Sequence, residues 1–260
     1  MIYLKNAQQI ECMRKSGAVL YEVLCRLKEA IKPGMSTAEL DVYAEQLIRK
    51  HKAIPTELGY QGYPSSICAS VNDEVVHGIP SETMILKEGD ILSVDCTLAI
   101  DGWQADSAFT VGVGEIAPDR RKLIVETEEC FFRGVRQAIN GNHLGDVSHA
   151  IQEYAESFGY GVVRELTGHG IGRSMHEDPS VPNFGKAGHG IRLRPGMTIC
   201  VEPMITMGNH SVAQLDDGWT IVTQDGSVAS HYEHTIVVNE KGLPELLTYP
   251  GFALMEEAES

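Results

Sequence analysis

Two stretches of the chain, LKEGDILSVD at residues 86–95 and LRPGMTICVE at residues 193–202, align without a gap. Each reads Leu, a basic residue, one free position and Gly, then an extended run that ends in Val and a carboxylate. Self-similarity inside one chain is the sequence signature of duplication. If the two halves are related by a pseudo-two-fold axis, Asp95 and Glu202 are equivalent residues that face one another across the centre of the molecule.

Outward from these stretches, the strand segments are SSICASV (65–71), ILSVDCTLAI (91–100), WQADSAFTVGV (103–113), MTICVEPMIT (197–206), GWTIVTQ (218–224) and VASHYEHTIVV (228–238). The last two flank Asp225-Gly226, a tight-hairpin signal. Helices separate the strands. Ile10, Met13, Gly17, Leu20, Leu24, Leu27 and Ile31 recur at spacings of three and four, which predicts one buried helical stripe stopped by KPGMS. Ser36 and Glu39 form an S-x-x-E capping box opening a second helix toward His51. Two more helices are predicted over residues 119–139 and 145–158. Long antiparallel strands with helices between them predict an α+β domain. No low-complexity stretch or linker divides the chain, so residues 1–260 are read as a single domain.

The bulk composition excludes several partners. With 36 acidic against 21 basic residues the formal charge is −15, which disfavours nucleic acid and anionic membranes because both are polyanions. Arg120, Arg121 and Lys122 are a local exception that could touch RNA. The opening MIYLKNAQQIECMRKSG does not read as a secretory signal, and no apolar run approaches the roughly 18 residues of a membrane span. The six cysteines (Cys12, Cys25, Cys68, Cys96, Cys130, Cys200) are scattered without a C-x-x-C pair, as suits reduced thiols in a cytoplasm.

Carboxylates usually avoid strand interiors, because burying an unpaired charge is costly. Asp95, Asp106, Glu202 and Glu233 all fall within or beside apolar strand segments, with too few nearby Lys or Arg to neutralise them. Four together call for a cation. Asp95 and Asp106 lie on successive strands joined by Asp101-Gly102, so an antiparallel pair can bring them side by side. Alternation sends Glu233, Thr235 and Val237 to one face. Four carboxylates with one imidazole suit one or two divalent ions of the Mn, Fe, Co or Zn type.

Of the ten histidines, His77 in VVHGIP, His169 in TGHGIG and His176 in SMHEDP stand out, each at a Gly- or Pro-rich turn that ends an extended segment. His51, His143, His149 and His210 carry no such signal. His189 in AGHGIR shares the His-Gly-Ile form, but nothing else ties it to a site. The stretch GHGIGRSMHE (168–177) fits neither the P-loop nor the G-x-G-x-x-G dinucleotide pattern. H-E-x-x-H and the G-x-S-x-G elbow are absent as well.

Taken in order and spacing, VNDEVVHGIP, VDCTLAIDGWQADSAFT, TGHGIGRSMHEDPSVPNF, RPGMTICVEPMI and YEHTIVV resemble the motifs of type I methionine aminopeptidases of the pita-bread peptidase superfamily. The resemblance runs from about Ile10 to Leu247. It implies a pita-bread fold, with pseudo-two-fold halves and a central antiparallel sheet carrying helices on its outer face. It implies two divalent metal ions held by Asp95, Asp106, His169, Glu202 and Glu233, with Asp106 and Glu233 bridging. His77 and His176 would bind substrate and stabilise the tetrahedral intermediate, and Glu202 would double as proton shuttle beside an attacking hydroxide. The first side chain would enter a pocket lined by Tyr60, Tyr63, Cys68, His77, Met175 and Trp219, whose aromatic walls suit a thioether. The implied activity is removal of the initiator methionine from nascent polypeptides when the second residue is small, by a monomer with transient ribosome contact.

Three positions depart from the family pattern: Met175, where bacterial relatives are commonly aromatic; Cys96 in DCT; and Glu57 before LGYQGYP, where a small uncharged residue is expected. They bear on pocket shape and not on the metal ligands. Two rival readings stand beside this one. An Xaa-Pro peptidase of the same fold would carry a substantial N-terminal domain. A non-catalytic relative would be expected to have lost ligands, and all five are present.

Overall fold

The computed structural model describes residues 1–255. Its central sheet has nine strands among the described residues, of which the site is built on β1 (Cys68–Val71), β2 (Ile91–Ile100), β3 (Trp103–Gly112), β4 (Gly168–Gly170), β5 (Thr198–Val201) and β6 (Glu233–Val237). The spatial order is β2-β3-β6-β5-β4, with β1 also paired to β2 and every pairing antiparallel. The β2–β3 hairpin turns at Asp101-Gly102 with φ values of 52° and 74°, the left-handed pair that matches the twist of the flanking strands.

The duplication holds at the level of single hydrogen bonds. Gly89 and Gly196 both sit at positive φ, 90° and 82°, where glycine is the unstrained residue. The Gly89 N–H donates to the Val113 carbonyl at 3.0 Å, and the Gly196 N–H donates to that of Val238 at 3.0 Å. In return Val113 donates to Asp90 at 2.8 Å and Val238 to Met197 at 2.9 Å. Hairpin β2–β3 therefore corresponds to the β5–β6 pair, and the pseudo-two-fold relates β3 to β6 at the middle of the sheet.

Each half carries two helices on one face of the sheet. α1 (Ala7–Ala30) starts ahead of the first periodic residue because Asn6 caps it, its Oδ1 accepting from Gln9 N at 3.0 Å while Gln9 Oε1 accepts from Asn6 N at 2.9 Å. α2 (Thr37–Lys50) opens on the expected Ser36/Glu39 box. α3 (Pro118–Arg136) places proline in its first turn, where a missing N–H costs nothing, and ends at Arg136 rather than 139. α4 (Leu144–Ser157) completes the set. Leu20, Leu27, Leu40 and Ile48 pack with Leu92, Val94, Leu98 and Phe109 of the first half. Phe131, Val147 and Ile151 pack with Ile199, Val201 and Ile236 of the second. Successive strand residues face opposite ways. Asp95, between Val94 and Cys96, thus projects from the face the helices leave open, as do Asp106 and Glu233.

Three sequence expectations change. The runs 197–206 and 228–238 are each broken in two: β5 is followed by Met204–Thr206, and Ala229–His231 precedes β6. Asp225-Gly226 does not join paired strands. Ile221–Thr223 pairs with Val212–Gln214, whereas Ala229–His231 pairs with Met204–Thr206. The Asp225 carboxylate accepts from the Asn209 and Ser227 N–H groups at 2.9 and 3.0 Å. The turn is therefore real, but it is tied to the 209 loop and passes the chain from one small sheet to another. No helix of the described residues is long and apolar enough to cross a membrane.

Candidate metal centre

The open face of the sheet forms the floor of a cavity of about 390 Å³. The β2–β3 register sets Asp95 opposite Ala108 and Asp106 opposite Thr97, so the two aspartates are diagonal neighbours on one face. Glu233 enters at the start of β6, opposite Ala108 across the pseudo-axis, and Glu202 stands immediately after β5. His169 comes from β4. Its Nδ1 lies 2.9 Å from the Gly170 carbonyl, which can only accept, so Nδ1 carries the proton and the Nε2 lone pair faces the carboxylates. Nε2 is 3.5 Å from Asp106 Oδ2 and 3.6 Å from Glu202 Oε1. All five candidate ligands line this one cavity.

Charge and burial are in conflict here unless a cation is present. Asp106 and Glu233 are 4% and 2% exposed. Asp95 Oδ1, Asp106 Oδ1 and Glu233 Oε1 are buried without a hydrogen-bond partner among the described residues. Among the described residues no Lys or Arg lines the cavity. Burial first, and then repulsion from the neighbouring carboxylates, pushes Asp95, Glu202 and Glu233 well above the usual carboxylate range; Asp106 is raised by burial and by Glu57. Oxygen and imidazole donors from Asp106, His169 and Glu233 lie within 4.8 Å of one another. This donor set fits divalent ions, which would satisfy the unpartnered oxygens and cancel the repulsion.

Beside the carboxylates the cavity becomes aromatic. Tyr60, Tyr63, Cys68, Met175 and Trp219 line it together with His77 and His176. The Tyr63 and Trp219 rings meet edge to face at 5.1 Å, and Trp219 reaches His77 at 6.4 Å. His176 Nδ1 lies 2.7 Å from the Tyr60 hydroxyl, and its ring packs 4.2 Å from that of His169. Burial, followed by His169, lowers His176 to about 4; burial and then His176 lower His77. Both imidazoles are neutral at neutral pH. The loop bearing Met175 and His176 is fixed from the N-terminus, where Lys5 Nζ pairs with Glu177 Oε2 at 2.6 Å. Glu177 Oε1 accepts from Arg173 N at 2.9 Å. The glycines of GHGIGRSMHE serve close packing: a Cβ at Gly168 would collide with the Cys200 carbonyl oxygen, and one at Gly170 with that of Asp178.

Glu57 and His231 are among the residues that reach the site beyond those singled out as its members. Glu57, noted only as a departure, lines the cavity, its carboxylate within 4.8 Å of donor atoms on Asp95 and Cys68; burial and Asp95 raise it to about 8. His231 is 1% exposed, and its Nε2 lies 3.9 Å from Glu202 Oε2 and 3.8 Å from Glu233 Oε2. Its position two residues before Glu233 was the available signal, since extended residues i and i+2 share a face.

A metal-dependent hydrolase of the pita-bread type is what this fold and cavity define, and the chain belongs to metallopeptidase family M24, whose pattern matches residues 11–240. A methionine aminopeptidase of Clostridium acetobutylicum is 53% identical over 95% of this chain and 99% of its own. The crystal structure of methionine aminopeptidase from Thermotoga maritima superposes with a TM-score of 0.93 at 42% identity, covering 95% of this chain and 99% of that one. Prolidase from Pyrococcus furiosus shares the fold, with a TM-score of 0.75 at 20% identity over 96% of this chain and 66% of its own.

Proposed function

We propose that the cavity removes an N-terminal methionine from polypeptides whose second residue is small, with Asp95, Asp106, His169, Glu202 and Glu233 holding two divalent ions. The observation that carries this reading is the union, in one cavity, of unneutralised carboxylates with an aromatic pocket that ends beside them. The relatives that match nearly the whole chain are named methionine aminopeptidases. When bound, the ions would polarise the scissile carbonyl and lower the pKa of the attacking water. Co, Mn, Fe and Zn all suit such a donor set, and availability selects among them.

The chain's own residues perform the remaining work. Tyr60, Tyr63, Cys68, His77, Met175 and Trp219 receive the methionine side chain, and sulfur–aromatic contacts favour the thioether over a plain alkyl chain. Neutral His77 and His176 each have one N–H to donate, His77 toward the substrate backbone and His176 toward the oxygen that gains charge as the carbonyl is attacked. Tyr60 fixes the His176 ring. Glu202 takes the proton released by water and passes it to the departing amine.

We read the whole chain as one catalytic domain acting as a monomer on nascent chains in the cytoplasm. Ribosome contact draws little support from the basic run at 120–122, since Arg120 donates within the chain to Asn72 and Gly89 and Lys122 lies 4.6 Å over the Phe158 ring. The deciding assay compares Met-Ala-Ser with Xaa-Pro peptides after addition of Co or Mn. Cleavage of Met-Ala-Ser with release of methionine is expected; cleavage of the Xaa-Pro peptides alone would overturn the reading.

A further inference from the structure

Two histidines flank Glu233 in the chain order His231, Tyr232, Glu233, His234, and the fold buries both. His234 is satisfied in the ordinary way. Its Nδ1 lies 2.9 Å from the Ser107 and Thr248 hydroxyls, and its Nε2 lies 3.1 Å from the Tyr232 hydroxyl. His231 is not: at 1% exposure, neither ring nitrogen has a hydrogen-bond partner among the described residues. Buried polar groups are normally paired, so such a ring calls for a ligand. Its backbone is also held in place, with the N–H donating to Thr110 Oγ1 at 2.9 Å and the carbonyl accepting from it at 2.7 Å.

The surroundings of His231 repeat those of His169. His169 Nε2 stands 3.5 and 3.6 Å from Asp106 Oδ2 and Glu202 Oε1, and His231 Nε2 stands 3.9 and 3.8 Å from Glu202 Oε2 and Glu233 Oε2. Glu202 thus turns one oxygen to each imidazole. An ion about 2.0–2.2 Å from each of three donors keeps those donors roughly 3.4–3.8 Å apart, close to both sets of separations. Donor atoms of Glu202, His231 and Glu233 all lie within 4.8 Å of one another, a second group that shares only Glu233 with the group around His169.

We propose that His231 Nε2, Glu202 Oε2 and Glu233 Oε2 form a further divalent-ion position, flanking the one His169 faces, for ions of the cobalt and zinc class that accept imidazole and carboxylate together. It rests on the reading of Glu202 and Glu233 as metal ligands, and adds to the five-residue set a sixth residue that the sequence left unassigned.

Cobalt(II) titrated into the metal-stripped full-length protein provides the test. An imidazole bound to Co(II) shows a strongly shifted N–H proton resonance, which selective ¹⁵N-histidine labelling identifies. One such resonance, from His169, is expected as the first ions bind, and a second beyond the second equivalent. His231→Gln should lose the second resonance, keep the first and bind one equivalent fewer. A single shifted resonance in the wild-type protein at every ratio would overturn the proposal and leave the paired-metal reading intact, whether or not the variant folds. A second resonance that survives in His231→Gln would overturn it too. No shifted resonance at any ratio would overturn both readings.

Discussion

Asp106 joins the two halves of the site: it neighbours Asp95 diagonally within one hairpin, and its Oδ2 lies 3.5 Å from His169 Nε2. Asp106→Asn removes a charge without removing volume, so the fold should persist. Activity on Met-Ala-Ser should fall by about 100-fold or more, with loss of bound metal by elemental analysis, while circular dichroism is unchanged. Tyr60→Phe is a finer probe, because it deletes only the hydroxyl 2.7 Å from His176 Nδ1. A hydrogen bond of about 1 kcal/mol converts to a fall in kcat of roughly fivefold, with KM little changed if the ring orientation matters in the transition state alone. The carboxylates were legible in the sequence through residue type and placement, since carboxylates inside apolar strands contradict the usual cost of burial, whereas Tyr60 was named only through the family resemblance. His231 and Glu57 were not placed in the site. Their neighbourhood depends on which strands and loops roof the cavity, and that is set by contacts between distant segments.

Among the elements, the helices were the most readable. Ser36 and Glu39 satisfy local N–H groups whatever surrounds them, so the start of α2 follows from four residues. Ser36→Ala should lower stability by about 1 kcal/mol, seen as a Tm lower by roughly 2–4 °C, with kcat/KM unaltered. The loop from Gly168 to Glu177 behaves differently, because it is positioned by a residue far away in sequence. Lys5 and Glu177 are both largely buried, with side chains 5% and 10% exposed. Lys5→Met leaves Glu177 without its cation and should cost roughly 3 kcal/mol or more in chemical denaturation, with a raised KM as the Met175–His176 loop loosens. Strand partners were less legible than strands. The turn at Asp225-Gly226 was visible, yet its flanking strands pair elsewhere, because a turn fixes a local reversal and the sheet it feeds depends on the edges available.

Over the whole molecule, the balance of buried charge makes stability depend on metal and pH together. Carboxylates raised above their unfolded values bind more protons in the metal-free folded state, so that state loses stability as pH rises through the raised values, and Glu57, at about 8, places part of that loss just above neutral pH. The buried imidazoles act oppositely. His176 at about 4 and His231 at about 3 leave the unfolded chain binding more protons below its ordinary histidine pKa of about 6.5, so stability falls as pH drops below that value. Bound divalent ions keep the carboxylates ionised. The difference in Tm between metal-loaded and chelator-treated protein should therefore widen as pH is raised from about 7 to about 8.5. A constant difference across that range, read by calorimetry, would count against the carboxylates as ligands. The sequence by itself determined the chemistry available: the repeated Gly-to-carboxylate stretches, the faces of the strands, the helix caps and the donor types, all of which follow from local geometry and period. Only the tertiary structure decided which donors meet. The registers that bring residues 95, 106, 169, 202 and 233 to one cavity, and that leave His231 unpartnered against two of them, arise from long-range pairing that no local spacing encodes.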